Sequence, residues 1–279
     1  MRETWLIGSN VFRQLLRNRI LVVLFLFALS VVGVAIFLGD LGQEAEVRLS
    51  RDFGLLSIEG VGFFTVLLCN VVLLFEETEL KTISILFVKP IRRWHYMAGK
   101  VLGSTMLLLM NETAMVGLLW ILARWRGLEG VIDLSFVIAA FYLFLSGVLF
   151  SIVAVFFTIY ASTVPACAVY ASFTYGLGHF TTNLLEWVMR MDQPLLAKLV
   201  KVLYYLIPNF SLFSLKDNLV AIQLLLVGSK ADYYAMGGDT TILTGPGSSA
   251  PYIWPLFYLL FYGSALLLIS LWQYERKEY

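Results

Sequence analysis

The chain has 279 residues, of which 59% are hydrophobic and only 14% are charged. Its mean hydropathy is +0.82. A soluble domain of this length would carry about a quarter charged residues, so the composition indicates a membrane protein. A net charge of +1 gives no basic field that would attract nucleic acid. Cys69 and Cys167 lie in apolar runs without metal-ligand spacing, and we expect both to be small buried residues.

Residues 1–19 carry apolar side chains at near-helical spacing, among them Trp5, Phe12, Leu15 and Leu16, with arginines between them. This pattern predicts an interfacial helix that lies in the inner headgroup layer with its apolar face towards the lipid.

Six apolar stretches follow, each long enough to cross a bilayer core of about 30 Å as a helix. They are Ile20–Leu38, Ile58–Phe75, Ala98–Ala123, Phe136–Tyr160, Val164–Leu185 and Tyr252–Trp272. We therefore predict an all-α membrane protein in which residues 1–279 form one transmembrane domain.

The stretch Leu203–Val227 is also apolar, but it contains Pro208 and Asn209 and then a polar cluster from Lys216 to Asn218. Burying that cluster at the centre of a membrane would cost several kcal/mol. We predict a broken or amphipathic helical pair at the interface, within an extracytoplasmic segment, residues 186–250, between spans five and six.

Lysine and arginine distribution sets the predicted orientation. Cations concentrate before the first span, between spans two and three, and after the last span, whereas the short opposing loops have acids in equal or greater number. Six spans with both termini in the cytoplasm satisfy this pattern. We expect a multi-pass protein of the plasma membrane, the inner membrane of a bacterium.

The predicted cytoplasmic loop between spans two and three, residues 76–97, carries the most informative pattern. It opens with acids, continues as a short apolar turn and ends at Pro90, which is followed by Arg92 and Arg93. Such a segment suits a groove on a soluble partner, because the apolar side supplies anchors and the flanking charges fix orientation. A linker held at the interface by lipid phosphates is the alternative.

This loop resembles the coupling loop of permease subunits of type-2 ABC transporters. The residues that match the family pattern are Glu76 or Glu77, Thr82, Leu86, Pro90, Arg92 or Arg93, Gly99 and Lys100. Ile207–Phe210 also resembles a Pro-Asn-aromatic element of the family. Lys81 departs from the pattern, since the family has glycine there.

The resemblance implies a half-transporter permease. A second copy or a paralogue would complete the membrane dimer, and two ABC ATP-binding subunits would receive the coupling loops and hold ATP and magnesium. The chain has no Walker-type Gly-x-x-x-x-Gly-Lys-Ser/Thr motif, so we expect it to be neither an ATPase nor a cofactor-binding protein itself. Membrane lipid surrounds it, and the segment 186–250 is long enough to dock an extracytoplasmic accessory protein.

Glu112, beside Asn111, lies near the middle of the third predicted span. An ionisable residue there is costly and marks a functional candidate that faces the bundle interior. Three roles are consistent with this position: a proton or cation site, a polar contact to substrate, or a structural hydrogen bond to a neighbouring helix. We favour the structural hydrogen bond.

On the fifth predicted span, Tyr175, His179 and Asn183 stand four residues apart and share a face. With Glu59 and Thr65 from the second span, this stripe would line a substrate path, or it would serve helix packing through hydrogen bonds. One histidine without a second ligand at metal spacing does not indicate a metal site.

The leading interpretation is an ABC export permease. Two alternatives are an intramembrane lipid-modifying enzyme, with Glu112 or His179 as the acid–base group, and an ion-coupled secondary transporter. Neither a second convergent catalytic residue nor an inverted repeat is evident in the sequence.

Overall fold

The computed structural model describes residues 2–17, 28–30, 33–34, 37, 46–69, 93–128, 131–161, 163–189, 194–214 and 254–276. Within these residues the structure is helical, without strands. We label its elements α1 (Arg2–Arg17), α2 (Glu46–Leu67), α3 (Arg93–Trp125), α4 (Leu134–Tyr160), α5 (Val164–Met189), α6 (Pro194–Leu206), the 3-10 helix (Phe210–Phe213) and α7 (Trp254–Arg276).

Three of the described helices are long and apolar enough to cross a membrane. They are Trp94–Trp125, Leu134–Thr158 and Pro255–Gln273, which coincide with the third, fourth and last predicted spans. α5 begins where the fifth span was predicted, although its composition does not place it among these three. The first predicted span, Ile20–Leu38, falls mostly outside the described residues. The chain is thus an all-α protein of membrane character.

The second helix begins earlier than the sequence predicted. We assigned Gly39–Ser57 to a loop because of its charges, but α2 starts at Glu46. One of those charges is paired: Nη2 of Arg51 lies 3.1 Å from Oδ2 of Asp133, and Nε of Arg51 donates to the carbonyl of Val131 at 3.2 Å. The charges therefore fasten α2 to the start of α4.

α4 lies at the centre of the bundle and contacts α2, α3, α5 and α7. It is strongly apolar, and Leu149 and Phe150 on it are fully buried, whereas Val137 and Phe141 in its first turns are exposed. One pair of buried hydroxyls joins two helices, since Oγ of Ser104 on α3 lies 2.7 Å from Oγ of Ser151 on α4. α4 begins at an N-cap, since Asp133 accepts a hydrogen bond from the amide of Phe136.

α1 packs along the first turns of α3, and the backbones of the two helices approach each other closely. A Cβ atom at Gly99 would lie 2.7 Å from Cγ2 of Ile7, and one at Gly103 would lie 2.8 Å from the carbonyl oxygen of Gly8. These glycines, a small-xxx-small pair, therefore serve packing within the chain. The single apolar face predicted for α1 is divided, because Leu15 is buried against its neighbours while Trp5 is exposed.

Two predicted boundaries need correction. α3 starts at Arg93, so residues 93–97 belong to a helix rather than to the loop 76–97. α5 continues to Met189 and takes in the first residues of the segment 186–250.

The break predicted near Pro208 is present. α6 ends at Leu206 because proline lacks an amide hydrogen and disfavours helix in the preceding residue. Asn209 then caps the 3-10 helix by accepting a hydrogen bond from the amide of Ser211. Asn209 and Phe210 are buried among the helices; the location of this break at the membrane interface stays a prediction.

The packing of α1 on α3 predicts a difference between two glycines of one helix. Gly103→Ala should lower the free energy of unfolding by about 1–3 kcal/mol, because the new methyl group has no room beside α1. Gly117→Ala should leave it unchanged or raise it by up to about 1 kcal/mol, since nothing lies within 4 Å of that position. Thermal or denaturant unfolding of the purified chain in detergent measures both. Equal effects of the two substitutions would contradict the packing.

Candidate functional site in the helix bundle

A glutamate of α2 meets a tyrosine and a histidine of α5 near the middle of both helices. The Tyr175 hydroxyl donates to Oε1 of Glu59 at 3.3 Å, and Nε2 of His179 lies 3.4 Å from the same oxygen. The side chains of His179 and Glu59 are 24% and 13% exposed, so the pair is largely withdrawn from the surface. The structure thus brings together three of the residues that the sequence singled out.

Aromatic rings surround this polar group. The ring centroid of Tyr175 lies 4.9 Å from that of Phe63 on α2, 4.8 Å from Phe150 on α4 and 4.8 Å from Phe210 on the 3-10 helix. His179 stacks on Phe210 at 5.9 Å. Because the rings exclude water, charge interactions at Glu59 are stronger than they would be at a protein surface.

The segment that carries Phe210 is fastened to α7. The amide of Asn209 donates to the Tyr258 hydroxyl at 2.9 Å, and the Tyr262 hydroxyl donates to the carbonyl of Leu206 at 2.7 Å. We call residues 207–213 the cap, because they cover His179 and Tyr175 from one side.

The cap also rests directly on the backbone of α5. A Cβ atom at Gly178 would meet the carbonyl oxygen of Pro208 and would lie 2.5 Å from Cδ2 of Phe210. Only glycine leaves room for this contact, which therefore fixes the cap beside His179.

Glu112 on α3 is the second buried acid of the bundle, with 6% of its surface exposed. Its Oε1 faces α2 and would lie 3.3 Å from a Cβ atom at Gly62, one helical turn from Glu59. Within the described residues, no hydrogen bond or ion pair is formed by Glu112. The bond between helices that we expected of Glu112 is made instead by its neighbour: Nδ2 of Asn111 donates to Oγ1 of Thr65 at 2.7 Å.

Several predicted residues lie beyond what the structure describes. Six predicted residues of the coupling loop fall outside the described residues: Glu76, Glu77, Thr82, Leu86, Pro90 and Arg92. Arg93 is the first residue of α3 and Asn183 belongs to α5, but their side chains are not described. In the described part of the chain, no three His, Cys, Asp or Glu side chains come together as a metal site. Cys69 and Cys167 are buried free thiols, as predicted.

The sequence analysis missed the partners of the polar group. Phe63, Phe150 and Gly178 carry no signal of their own in an apolar chain. The pair Tyr258 and Tyr262 could have been noticed, because two tyrosines four residues apart on an apolar helix share a face and need hydrogen-bond partners.

No known protein-family profile matches the chain, and no curated protein is significantly similar to it in sequence.

The contact of the cap with α5 predicts unequal effects of alanine at two nearby glycines. Gly178→Ala should displace the cap and lower the free energy of unfolding by about 1–3 kcal/mol. Gly176→Ala should be tolerated, since nothing lies within 4 Å of that position. Amide hydrogen exchange of Phe210–Phe213 should accelerate in the first variant and not in the second. Unchanged protection in Gly178→Ala would show that the cap does not depend on this contact.

Proposed function

We propose that the chain is the membrane-spanning permease subunit of an ATP-driven transporter of the type-2 ABC class. In this proposal it crosses a bacterial inner membrane six times with both termini in the cytoplasm. It pairs with a second permease and with two ATP-binding subunits. The three long apolar helices and the all-helical bundle are compatible with that arrangement.

The residue pattern of the loop 76–97 and the adjoining Gly99 and Lys100 carries the proposal. Its acids, apolar turn, Pro90 and arginines form a compact element with both anchors and charges for a partner's groove. No other stretch of the sequence combines these features.

The packing of α1 on α3 supports a mechanical role for this end of the bundle. The loop leads into α3, and Gly99 and Gly103 bring the start of α3 against the backbone of α1 and its Ile7 and Val11 side chains. A tightly packed pair of helices moves as one body, because displacing either alone would create overlap or a void. Force on the loop would thus shift α1 and α3 together and bias the bundle between two arrangements.

In the transport cycle, the group formed by Glu59, Tyr175 and His179 would contribute to the pathway through the membrane. The cap would close that pathway on one side. Both assignments depend on the permease proposal.

A second candidate function follows from one observation. No convergent catalytic partner of His179 is evident in the sequence, but in the structure Nε2 of His179 lies 3.4 Å from Oε1 of Glu59. A carboxylate that orients an imidazole is a recurring part of acid–base sites, so an intramembrane enzyme acting on lipid is the alternative. Lipid turnover by the purified chain without ATP would establish it.

The permease proposal predicts that the loop controls ATP hydrolysis. Leu86→Asp and Pro90→Gly should each reduce the stimulated ATPase activity of the co-purified complex at least fivefold, without preventing membrane insertion. The first variant removes an apolar anchor and the second loosens the element. Steady-state hydrolysis in proteoliposomes measures the effect.

Leu134→Asp is the matched control. It makes the same chemical change at an exposed position at the start of α4, and α3, whose 33 residues span about 50 Å, separates it from the loop. An acid in a first helical turn is also tolerated. Normal stimulated activity in both loop variants, or a label near Arg92 that is reachable only from outside the cell, would refute the coupling role.

A further inference from the structure

Two acids of the bundle lie close to the same turn of α2. Glu59 precedes Gly62 by three residues on that helix, and Oε1 of Glu112 on α3 would lie 3.3 Å from a Cβ atom at Gly62. His179 is the base recorded beside Glu59. The ion pair of Arg51 with Asp133 lies eight residues earlier on α2, about 12 Å along the helix.

Glu112 is the informative member of this group. More than nine-tenths of its surface is buried, and its carboxyl faces the wall of the site rather than the surface. Within the described residues no donor or cation compensates it. A buried carboxylate without a partner is unfavourable, so a ligand that brings positive charge would stabilise this arrangement.

The surroundings favour an organic cation over a metal ion. Among the described residues, no set of three potential metal ligands converges, whereas hard cations need six or more oxygen ligands. The ring of Tyr175, whose hydroxyl donates to Glu59, instead packs among the aromatic rings of Phe63, Phe150 and Phe210. Substituted ammonium groups bind to such faces next to a counter-charge.

We propose that Glu59, Glu112, Tyr175 and the rings around them form a binding site for a substituted organic ammonium ion. This assignment names a class of substrate for the proposed permease and rests on that proposed function for its role in transport. Binding itself is a property of this chain.

The cap regulates access to the site. Phe210 contacts both Tyr175 and His179, so a ligand seated against these two side chains must displace its ring. A hydrogen bond between Asn209 and Tyr258 and the contact with Gly178 hold the cap, and both can reform after the ligand has entered or left.

The test uses the purified full-length chain in maltoside micelles. Choline and tetraethylammonium are the probes, and neopentyl carbinol, the neutral carbon isostere of choline, is the control ligand. Equilibrium dialysis gives the affinity, and the ligand-dependent rise in Tm provides an independent readout. Both cations should bind at least tenfold more tightly than the isostere.

Glu59→Gln and Glu112→Gln should each weaken cation binding at least tenfold while retaining side-chain volume. Asp52→Asn is the matched control, since it removes the same charge from an exposed position of α2 about 10 Å along the helix from Glu59, and its affinity should equal that of the wild type. If a glutamine variant does not fold, Tyr175→Phe and Tyr175→Leu replace it. The phenylalanine variant should keep binding and the leucine variant should lose it.

Three results would each refute the binding site. They are binding of the isostere as tight as that of the cations, unchanged cation affinity in both glutamine variants, and no binding of either cation by the folded wild type. Failure of the permease proposal is recognised separately. If the chain binds the cations but no ATP-binding subunit co-purifies with it, the binding site is supported and the permease proposal is refuted. If an ATPase co-purifies but the chain binds neither cation, the permease proposal is supported and the binding site is refuted.

Discussion

Close approach of helices at glycine positions is the constraint on which the rest of this structure depends. In a lipid environment apolar side chains gain little from leaving lipid for protein, so helices associate where their backbones fit together. α1 and α3 meet in this way through Gly8, Gly99 and Gly103, and α5 meets the cap through Gly178. The first contact joins the proposed coupling loop to the bundle. The second fixes Phe210 against the polar group.

The polar side chains of the interior form two kinds of arrangement. Ser104 with Ser151, and Asn111 with Thr65, are hydrogen-bonded pairs that join neighbouring helices. Such pairs stabilise packing. Glu59, with two partners on α5, and Glu112, with none among the described residues, form a different group, because carboxylates placed in an apolar interior are costly. This difference separates the residues that hold the bundle together from those that we propose to bind a ligand.

The errors of the sequence analysis have physical causes. The start of α2 was assigned to a loop because charges lower the hydropathy of residues 46–57, but charged residues are compatible with a helix, and Arg51 finds Asp133 across the bundle. The sequence predicted the break at Pro208 and Asn209 but not the burial of Asn209 among the helices. In the structure Asn209 satisfies its polar groups through Ser211 and Tyr258, which makes burial possible.

The sequence by itself determined the membrane character and, within a few residues, the extents of α3, α4, α5 and α7. Helix length and apolar content are local properties, so they can be read from consecutive residues. Only the tertiary structure decided which polar side chains meet. Glu59 and Tyr175 are 116 residues apart in the chain, and their contact depends on how α2 and α5 pack on α4. That packing follows from shape matching over whole helix faces, which no single residue or spacing reveals.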